Sequence, residues 1–165
     1  MPLLLLKVNR LSAVFWDVDG TLADTEMDGH RPAFNMAFQE LDLPFVWDEA
    51  LYNRLLAIPG GLRRVKLHAE TCGVHLSQNQ LDQVRDRKRV HYLERVRQGH
   101  VQLRPGVRRL LQELNRAGVQ QWIVTSSGSA SVMALLEQIQ KQIPSFDGVV
   151  TSDDVASGKP SPDGY

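Results

Sequence analysis

The chain has 165 residues, of which 42% are hydrophobic and 23% charged, and its 19 basic residues are balanced by 19 acidic ones. This length suits one domain, or a core that carries a smaller inserted domain. The balanced charge excludes the basic excess that is typical of nucleic-acid-binding proteins. The single cysteine, Cys72, excludes an internal disulfide framework and suits a reducing compartment.

The opening segment MPLLLLKVNR differs from a secretory signal, because no basic residue precedes its leucines and no small-residue cleavage site follows them. No apolar run of the sequence approaches the length of a membrane-spanning helix. We therefore expect a cytoplasmic protein that has neither a membrane nor a nucleic acid as a partner.

A buried strand is predicted for LSAVFW, residues 11–16, because this nearly continuous apolar run has aromatic and β-branched members. Asp17 and Asp19 follow the strand directly. Adjacent carboxylates repel each other, so the pair needs a compensating cation or a chemical task that uses both. Gly20 lets the chain turn close to a ligand.

Helical periodicity extends from position 24 to about position 98. Apolar residues repeat on one helical face at positions 34, 37, 38 and 41. Asp48 is a candidate cap for a second helix that PGG at 59–61 ends, and Ser77 with Gln80 has capping-box spacing before a long charged helix. We expect residues 24–101 to form an all-helical domain, joined to the rest of the chain by hinges.

Strand and helix alternate after the turn pair at 105–106. The pattern predicts a helix over 107–117, a strand at VQQWIV, a helix over 129–142 and a short strand at FDGVVT. Residues 1–23 and 102–165 would then form an α/β core with a parallel sheet, which binds ligands beyond the carboxyl ends of its strands. The polar residues at those ends are Asp17, Asp19, Thr125, Ser126, Ser127 and, after a loop, Lys159.

This set of side chains suits phosphoryl transfer. One carboxylate can attack phosphorus as a nucleophile, while a second, two residues on, serves as acid and base for the leaving oxygen. Attack of an anion on an anionic phosphate needs positive charge, so we expect a divalent hard cation beside the carboxylates. Lys159 and the hydroxyl of Thr125 would hold the phosphate oxygens, and Gly20, Ser126 and Ser127 are further candidates for phosphate binding.

Each motif also has a simpler interpretation. An Asp-x-Asp-Gly-Thr loop is a common strand-ending turn, VTSSGS is typical of a strand before a serine-capped helix, and SGKPSP is typical of a solvated loop. The order of the three motifs favours a shared site, because each lies on the carboxyl side of a predicted strand of one sheet.

The stretches DVDGT, VTSS and GKPSPDGY resemble the first three motifs of the haloacid-dehalogenase-like (HAD) hydrolase superfamily. The stretches DTEMDGHRPAFNMAF, WDEALYNRLLAIPGG and LRPGV resemble its CbbY-like subfamily, phosphatases of xylulose-1,5-bisphosphate, a sugar bisphosphate that inhibits Rubisco and so bears on carbon fixation. The resemblance covers essentially the whole chain. It implies a HAD-like Rossmannoid core with an inserted helical cap.

The resemblance also implies residue roles. Asp17 would be the nucleophile, Asp19 the general acid and base, Thr125 the second-motif hydroxyl and Lys159 the third-motif cation. Mg²⁺ would bind the Asp17 carboxylate and the backbone carbonyl of Asp19.

Glu26 and His30 match cap residues that contact sugar hydroxyls in such enzymes. Their spacing independently puts them one helical turn apart, on the stripe that Phe34 continues. A surface pair at a helix start is the alternative interpretation.

A bisphosphate needs a second anion site. Arg63, Arg64 and Lys88 are the candidates, because guanidinium groups suit phosphate and Lys88 matches a cap lysine of related enzymes. The chain departs from the subfamily at Leu62, where lysine is usual, and at Gly128, where asparagine is common.

The superfamily continues beyond the lysine motif into two more strands and an acidic fourth motif. Ser161 and Pro162 are a predicted N-cap and first-turn residue of a helix. We therefore expect this sequence to be truncated, poorly active and aggregation-prone as it stands, and we expect the full-length protein to be a monomer.

Three rival functions stay open. A phosphoacceptor receiver domain has similar acidic, hydroxyl and lysine residues, but it lacks a helical insert of this size after its acids. A non-catalytic fragment that binds phosphate ligands is a second rival. A β-phosphoglucomutase-like sugar-phosphate mutase is the nearest alternative within the enzymes.

Overall fold

The computed structural model describes residues 11–165, so the opening segment considered above lies outside the described part. The described chain alternates strands and helices around one helical insert, with a π-helical turn (Thr25–His30) before the first α-helix. The strands are β1 (Ala13–Trp16), β2 (Gln120–Val124) and β3 (Gly148–Val150). The helices are α1 (Arg31–Glu40), α2 (Glu49–Leu55), α3 (Gly61–Thr71), α4 (Gln78–Arg97), α5 (Val107–Arg116) and α6 (Ser129–Ile139).

The three described strands form one parallel sheet in the order β1-β2-β3. Ala13 pairs with Gln120 and Trp122 pairs with Gly148, so the carboxyl ends of the strands lie at one edge of the sheet. The predicted α/β class with a parallel sheet and a helical insert is confirmed. Each observed strand is one to three residues shorter than the apolar run that predicted it.

The helical insert has its own aromatic core. Phe34, Phe38 and Trp47 pack against one another with ring centroids 4.9–5.9 Å apart. The Asn35 side chain fixes the loop before α2, since it donates to the carbonyl of Trp47 at 2.9 Å and accepts from its N–H at 2.8 Å. Asp48 and Ser77 cap α2 and α4 as predicted, and the capping box of Ser77 is complete.

A second hydrophobic cluster lies against the sheet and includes residues of both regions. Trp16, Ile123 and Leu135 of the core are buried together with Tyr92 and Val96 of α4. The carboxyl half of α4 therefore packs onto the α/β core, and this contact holds the helical insert beside the carboxyl ends of β1 and β2.

The two connections between core and insert run side by side. Ala23 and Leu103 form an antiparallel bridge. On either side of it, the N–H of Asp24 donates to the carbonyl of Gln102 at 3.2 Å, and the N–H of Arg104 donates to the carbonyl of Leu22 at 2.9 Å. The insert is thus attached through a short two-stranded ribbon.

Several local features differ from the sequence-based expectation. Helix α3 begins at Gly61, the last residue of the PGG stretch that was predicted only to end a helix, and Ser161 precedes only a short 3₁₀ turn (Pro162–Gly164). The predicted stripe through Glu26 and His30 begins as a π-helical turn because it packs closely on α4. A Cβ atom at Gly29 would lie 2.8 Å from the ring of Tyr92.

None of the helices described is both long enough and apolar enough to cross a membrane.

Candidate active site

The carboxyl end of β1 meets the loop that follows β3. Lys159 donates from Nζ to Oδ1 of Asp17 at 2.7 Å, although the two residues are 142 positions apart in the chain. Both side chains keep part of their surface exposed, at 25% for Lys159 and 40% for Asp17. A carboxylate and an ammonium group are therefore both accessible at the carboxyl end of β1.

Asp19 lies deeper, accepts two side-chain hydrogen bonds and has a third polar contact with His30. Thr25 donates to Oδ1 at 2.6 Å, Ser127 donates to Oδ2, and Nε2 of His30 lies 3.6 Å from Oδ1. Burial alone would raise the pKa of Asp19, but His30, Ser127 and Thr25 outweigh it and hold the pKa well below its usual range. Asp19 is therefore a carboxylate at neutral pH in this arrangement.

Lys88 sets the hydrogen-bonding state of His30. Nζ of Lys88 lies 2.9 Å from Nδ1 of His30, and an ammonium group can only donate. Nδ1 is then the acceptor of a neutral ring, and Nε2 carries the proton that points towards Asp19. Burial lowers the pKa of His30, and the nearby positive charge of Lys88 lowers it further against the opposing effect of Asp19.

Two aromatic rings enclose this histidine and lysine. His30 stacks on Tyr92 with ring centroids 4.3 Å apart, and Nζ of Lys88 lies 5.2 Å from the centroid of Phe34 and 5.1 Å from that of Tyr92. Burial lowers the pKa of Lys88 to about 8, although Glu26 and Asp19 favour its charged form. Lys88, His30 and Asp19 thus form a continuous row from the insert to the core.

Glu26 is held by a partner that the sequence did not indicate. Tyr52 on α2 donates from its hydroxyl to Oε2 of Glu26 at 2.6 Å, and Nη1 of Arg64 lies 4.0 Å from the same oxygen. Burial raises the pKa of Tyr52, and the charge of Glu26 raises it further. The hydroxyl therefore stays protonated, and its hydrogen bond fixes the position of the Glu26 carboxylate.

The remaining predicted residues take different positions. Thr125 is buried at the end of β2, where Oγ1 accepts from the N–H of Ser127 at 3.1 Å. Ser126 is exposed. Gly20 has φ +71°, a conformation that L side chains rarely adopt, so glycine suits the turn after Asp19. Arg63 is exposed and makes no polar contact among the described residues.

The donor atoms at the end of β1 suit a hard cation. Among residues 11–165, neither Oδ2 of Asp17 nor the backbone carbonyl of Asp19 accepts a hydrogen bond, so both oxygens are available. That part of the chain contains no group of three or more acidic, histidine or cysteine side chains that could hold a metal. Mg²⁺ commonly uses one or two protein carboxylates and completes its shell with substrate phosphates and waters, which fits these two oxygens.

The family comparison covers all the residues that the structure describes. The family model of the haloacid dehalogenase-like hydrolases matches residues 11–165. The chain belongs to this hydrolase family. The predicted superfamily resemblance is thereby confirmed, and the α/β core with its helical insert is the fold of a HAD-like hydrolase.

The CbbY proteins are among its relatives. The chain is 38% identical to the plasmid-encoded CbbY protein of Cupriavidus necator over 166 residues, covering 94% of this chain and 63% of that protein. It is 35% identical to CbbY of Rhodobacter capsulatus, covering 94% of this chain and 69% of that protein. The chain thus spans about two thirds of the length of these curated relatives.

Solved structures agree with this relationship. The crystal structure of CbbY from Rhodobacter sphaeroides in complex with phosphate superposes with a TM-score of 0.72 at 31% identity, over 93% of this chain and 68% of that one. A mutant of that protein in complex with xylulose-(1,5)bisphosphate gives the same values. A predicted phosphoglycolate phosphatase from Haemophilus somnus, at 20% identity and a TM-score of 0.78, shares the fold.

Proposed function

We propose that this protein is a magnesium-dependent phosphatase that hydrolyses a sugar bisphosphate, with xylulose-1,5-bisphosphate as the substrate, through an aspartyl-phosphate intermediate. The observation that carries the proposal is the 2.7 Å contact between Lys159 and Asp17 beside the hydrogen-bonded carboxylate of Asp19. The CbbY structure with this bisphosphate, at 31% identity, supports the choice of substrate.

In the first step, the Asp17 carboxylate attacks phosphorus and the bond from phosphorus to the sugar oxygen breaks. The ammonium group of Lys159 meets the incoming phosphate oxygens and offsets their repulsion from the carboxylates. Thr125 is the candidate hydroxyl for a further phosphate oxygen. When bound, Mg²⁺ held by Asp17 and the Asp19 carbonyl would neutralise charge on the transferred phosphoryl group.

Asp19 acts as a general acid in the first step and as a general base in the second. Its pKa lies well below the usual range in the free site, and a dianionic phosphate raises that pKa by like-charge repulsion when it binds. Asp19 can then carry the proton that the leaving sugar oxygen requires. In the second step it accepts a proton from the water that cleaves the aspartyl phosphate. The Nε2 proton of His30 holds the carboxylate in position for this exchange.

The helical domain, residues 24–101, would act as a cap that recognises the sugar. Glu26 offers a fixed carboxylate to sugar hydroxyls because Tyr52 holds it at 2.6 Å. Closure of this domain would exclude water from the aspartyl phosphate during the first step. Hydrolysis of a bisphosphate that inhibits Rubisco would link the protein to carbon fixation in the cytoplasm.

Phosphate release from xylulose-1,5-bisphosphate tests the proposal. We expect release that requires Mg²⁺ and that Asp17→Asn abolishes, while circular dichroism and thermal melting of the variant match those of the parent chain. A mutase would instead convert a sugar 1-phosphate into a sugar 6-phosphate without net release of phosphate. Turnover by a folded Asp17→Asn variant would contradict the role of Asp17.

A further inference from the structure

The loop after β2 and the loop after β3 both lead to the candidate active site. Ser127 on the first loop donates to Asp19, and Lys159 follows the second loop in the chain. A backbone hydrogen bond joins the two loops, since the N–H of Ser152 donates to the carbonyl of Ser127 at 3.1 Å. The position of Ser127, and with it the contact to Asp19, therefore depends on the loop after β3.

Thr151 lies at the centre of the contacts between these loops. It follows β3 directly and is 3% exposed. Its Oγ1 lies 2.8 Å from Oγ of Ser129, 2.7 Å from Oδ2 of Asp154 and 3.3 Å from the backbone nitrogen of Asp153. A hydroxyl offers one proton and two acceptor sites, so these partners use its whole hydrogen-bonding capacity.

The partners also fix the direction of each hydrogen bond to this hydroxyl. Hydrogen bonds from Thr151 lower the pKa of Asp154, so Asp154 is a carboxylate and can only accept. The N–H of Asp153 can only donate. The single proton of Thr151 therefore goes to Asp154, and the Ser129 hydroxyl donates its own proton to Oγ1 of Thr151.

Ser129 transmits this arrangement to the loop after β2. It is the first residue of α6, and its N–H donates to Oδ2 of Asp153 at 2.9 Å. The side chain and the backbone of Ser129 are thus both held by the loop after β3, two residues beyond Ser127. Valine has nearly the shape of threonine and would fill position 151 without the cost of burying a hydroxyl, so packing alone does not account for Thr151.

We propose that Thr151 is a positioning residue for the acid and base: through Ser129, its hydroxyl fixes the loop from which Ser127 binds Asp19. The inference rests on the proposed function, because proton transfer by Asp19 is part of that proposal. Thr151 acts only through these residues, so the loss of its hydroxyl should weaken the transfer of a proton to the leaving oxygen and spare attack by Asp17.

The basicity of the leaving group tests this inference. A sugar alkoxide or phenolate needs a proton as it leaves, whereas para-nitrophenolate is a weaker base and leaves without one. With Mg²⁺ present, Thr151→Val should lower kcat/KM about fivefold for xylulose-1,5-bisphosphate and phenyl phosphate, the effect of one hydrogen bond, and less than about twofold for para-nitrophenyl phosphate. Thr151→Ser keeps the hydroxyl and should restore all three values.

Ser129→Ala removes the partner on the other side of the same hydrogen bond and should cause the same unequal loss, so the test holds even if Thr151→Val does not fold. Thr71→Val, at the exposed end of α3, is the matched control. It also removes a bonded hydroxyl, which donates to the carbonyl of His68 at 2.7 Å, and it should change none of the values.

Two results would overturn the inference in different ways. If the parent chain releases phosphate and the folded variants lose activity equally on all three esters, or on none, the role of Thr151 is wrong while the proposed function stands. If the parent chain releases phosphate from none of the three esters, the proposed function fails, and the inference fails with it.

Discussion

Asp19 receives contacts from two separate segments: Thr25 and His30 of the π-helical turn, and Ser127 of the loop after β2. Each of them favours the ionised carboxylate, and together they overcome the effect of burial on its pKa. The side chain that we propose as the acid and base is therefore fixed in place before a substrate arrives, which lowers the cost of organising the site at the moment of reaction.

The buried charge of Lys88 lowers the stability of the folded chain, and this effect depends on pH. Burial lowers its pKa from 10.5 to about 8. Below pH 8 the folded and unfolded chains are both protonated, so the folded state bears the full cost of the buried charge. Between pH 8 and 10.5 the unfolded chain binds more protons than the folded one, and stability therefore rises with pH over that range.

Lys88→Met should remove this dependence. We expect the parent chain to gain at most about 3 kcal/mol of unfolding free energy between pH 8 and pH 10.5, relative to the variant. Urea denaturation of both proteins across this range measures the difference. Lys66→Met, at an exposed position of α3, is the control and should keep the rise. If the unfolding free energies of Lys88→Met and of the parent chain changed equally with pH, the depressed pKa of Lys88 would be contradicted.

The sequence predicted which residues meet at the strand ends but not all of their partners. Asp17, Asp19 and Lys159 could be predicted, because strand ends of a parallel sheet share one edge and each motif lies on the carboxyl side of a predicted strand. The contacts of Thr25 with Asp19 and of Tyr52 with Glu26 could not be predicted. Tyr52 lies 26 positions from Glu26. A tyrosine in a helical apolar pattern is typical of a core residue, and the pattern does not show whether its hydroxyl binds a functional side chain.

At the scale of elements, α2 supports the π-helical turn through Tyr52. Removal of this hydroxyl in Tyr52→Phe keeps the ring in the aromatic core but releases Glu26. We expect kcat/KM for the sugar bisphosphate to fall about five- to tenfold, the loss expected for one hydrogen bond, while that for an aryl phosphate is unchanged.

Steady-state kinetics with the two substrates measures this selectivity. Tyr165→Phe, at an exposed tyrosine, is the control and should change neither value. An equal loss for both substrates in Tyr52→Phe would show that the hydroxyl supports the fold rather than recognition of the sugar.

The pairing of β2 with β3 depends on a glycine. A Cβ atom at Gly148 would lie 2.1 Å from the Trp122 ring, its partner in the sheet register. We expect Gly148→Ala to lower the unfolding free energy by about 1–3 kcal/mol through overpacking. Gly158→Ala, where no atom lies within 4 Å of the added carbon, should change it little. Urea denaturation compares the two, and equal stabilities would contradict the close approach.

Element types were easier to predict from the sequence than their ends. The capping residues Asp48 and Ser77 fixed the starts of α2 and α4, because a cap acts through local hydrogen bonds. Helix α3 was not predicted, since its glycine-rich start is typical of a turn and its apolar face is recognisable only against the aromatic core. The predicted helix over 129–142 ends at Ile139, and no local signal marked that end.

At the scale of the whole molecule, two hydrophobic clusters share α1 and α4. One cluster fills the helical insert, and the other joins Tyr92 and Val96 of α4 to the sheet. Because the covalent connections are limited to the ribbon formed by Ala23 and Leu103, we propose that residues 24–101 move as a unit about this ribbon. Thr25 lies at its edge and contacts Asp19 at 2.6 Å, so this motion would reach the acid and base directly.

The central claim is that Asp17 forms a covalent aspartyl phosphate. Rapid mixing of the protein with xylulose-1,5-bisphosphate and Mg²⁺, followed by borohydride, reduces an acyl phosphate to the alcohol, which peptide mass mapping detects as homoserine. We expect homoserine at position 17 alone, only when substrate and Mg²⁺ are both present, and none in Asp17→Asn. Phosphate release without modification of position 17, or modification of another residue, would contradict the account.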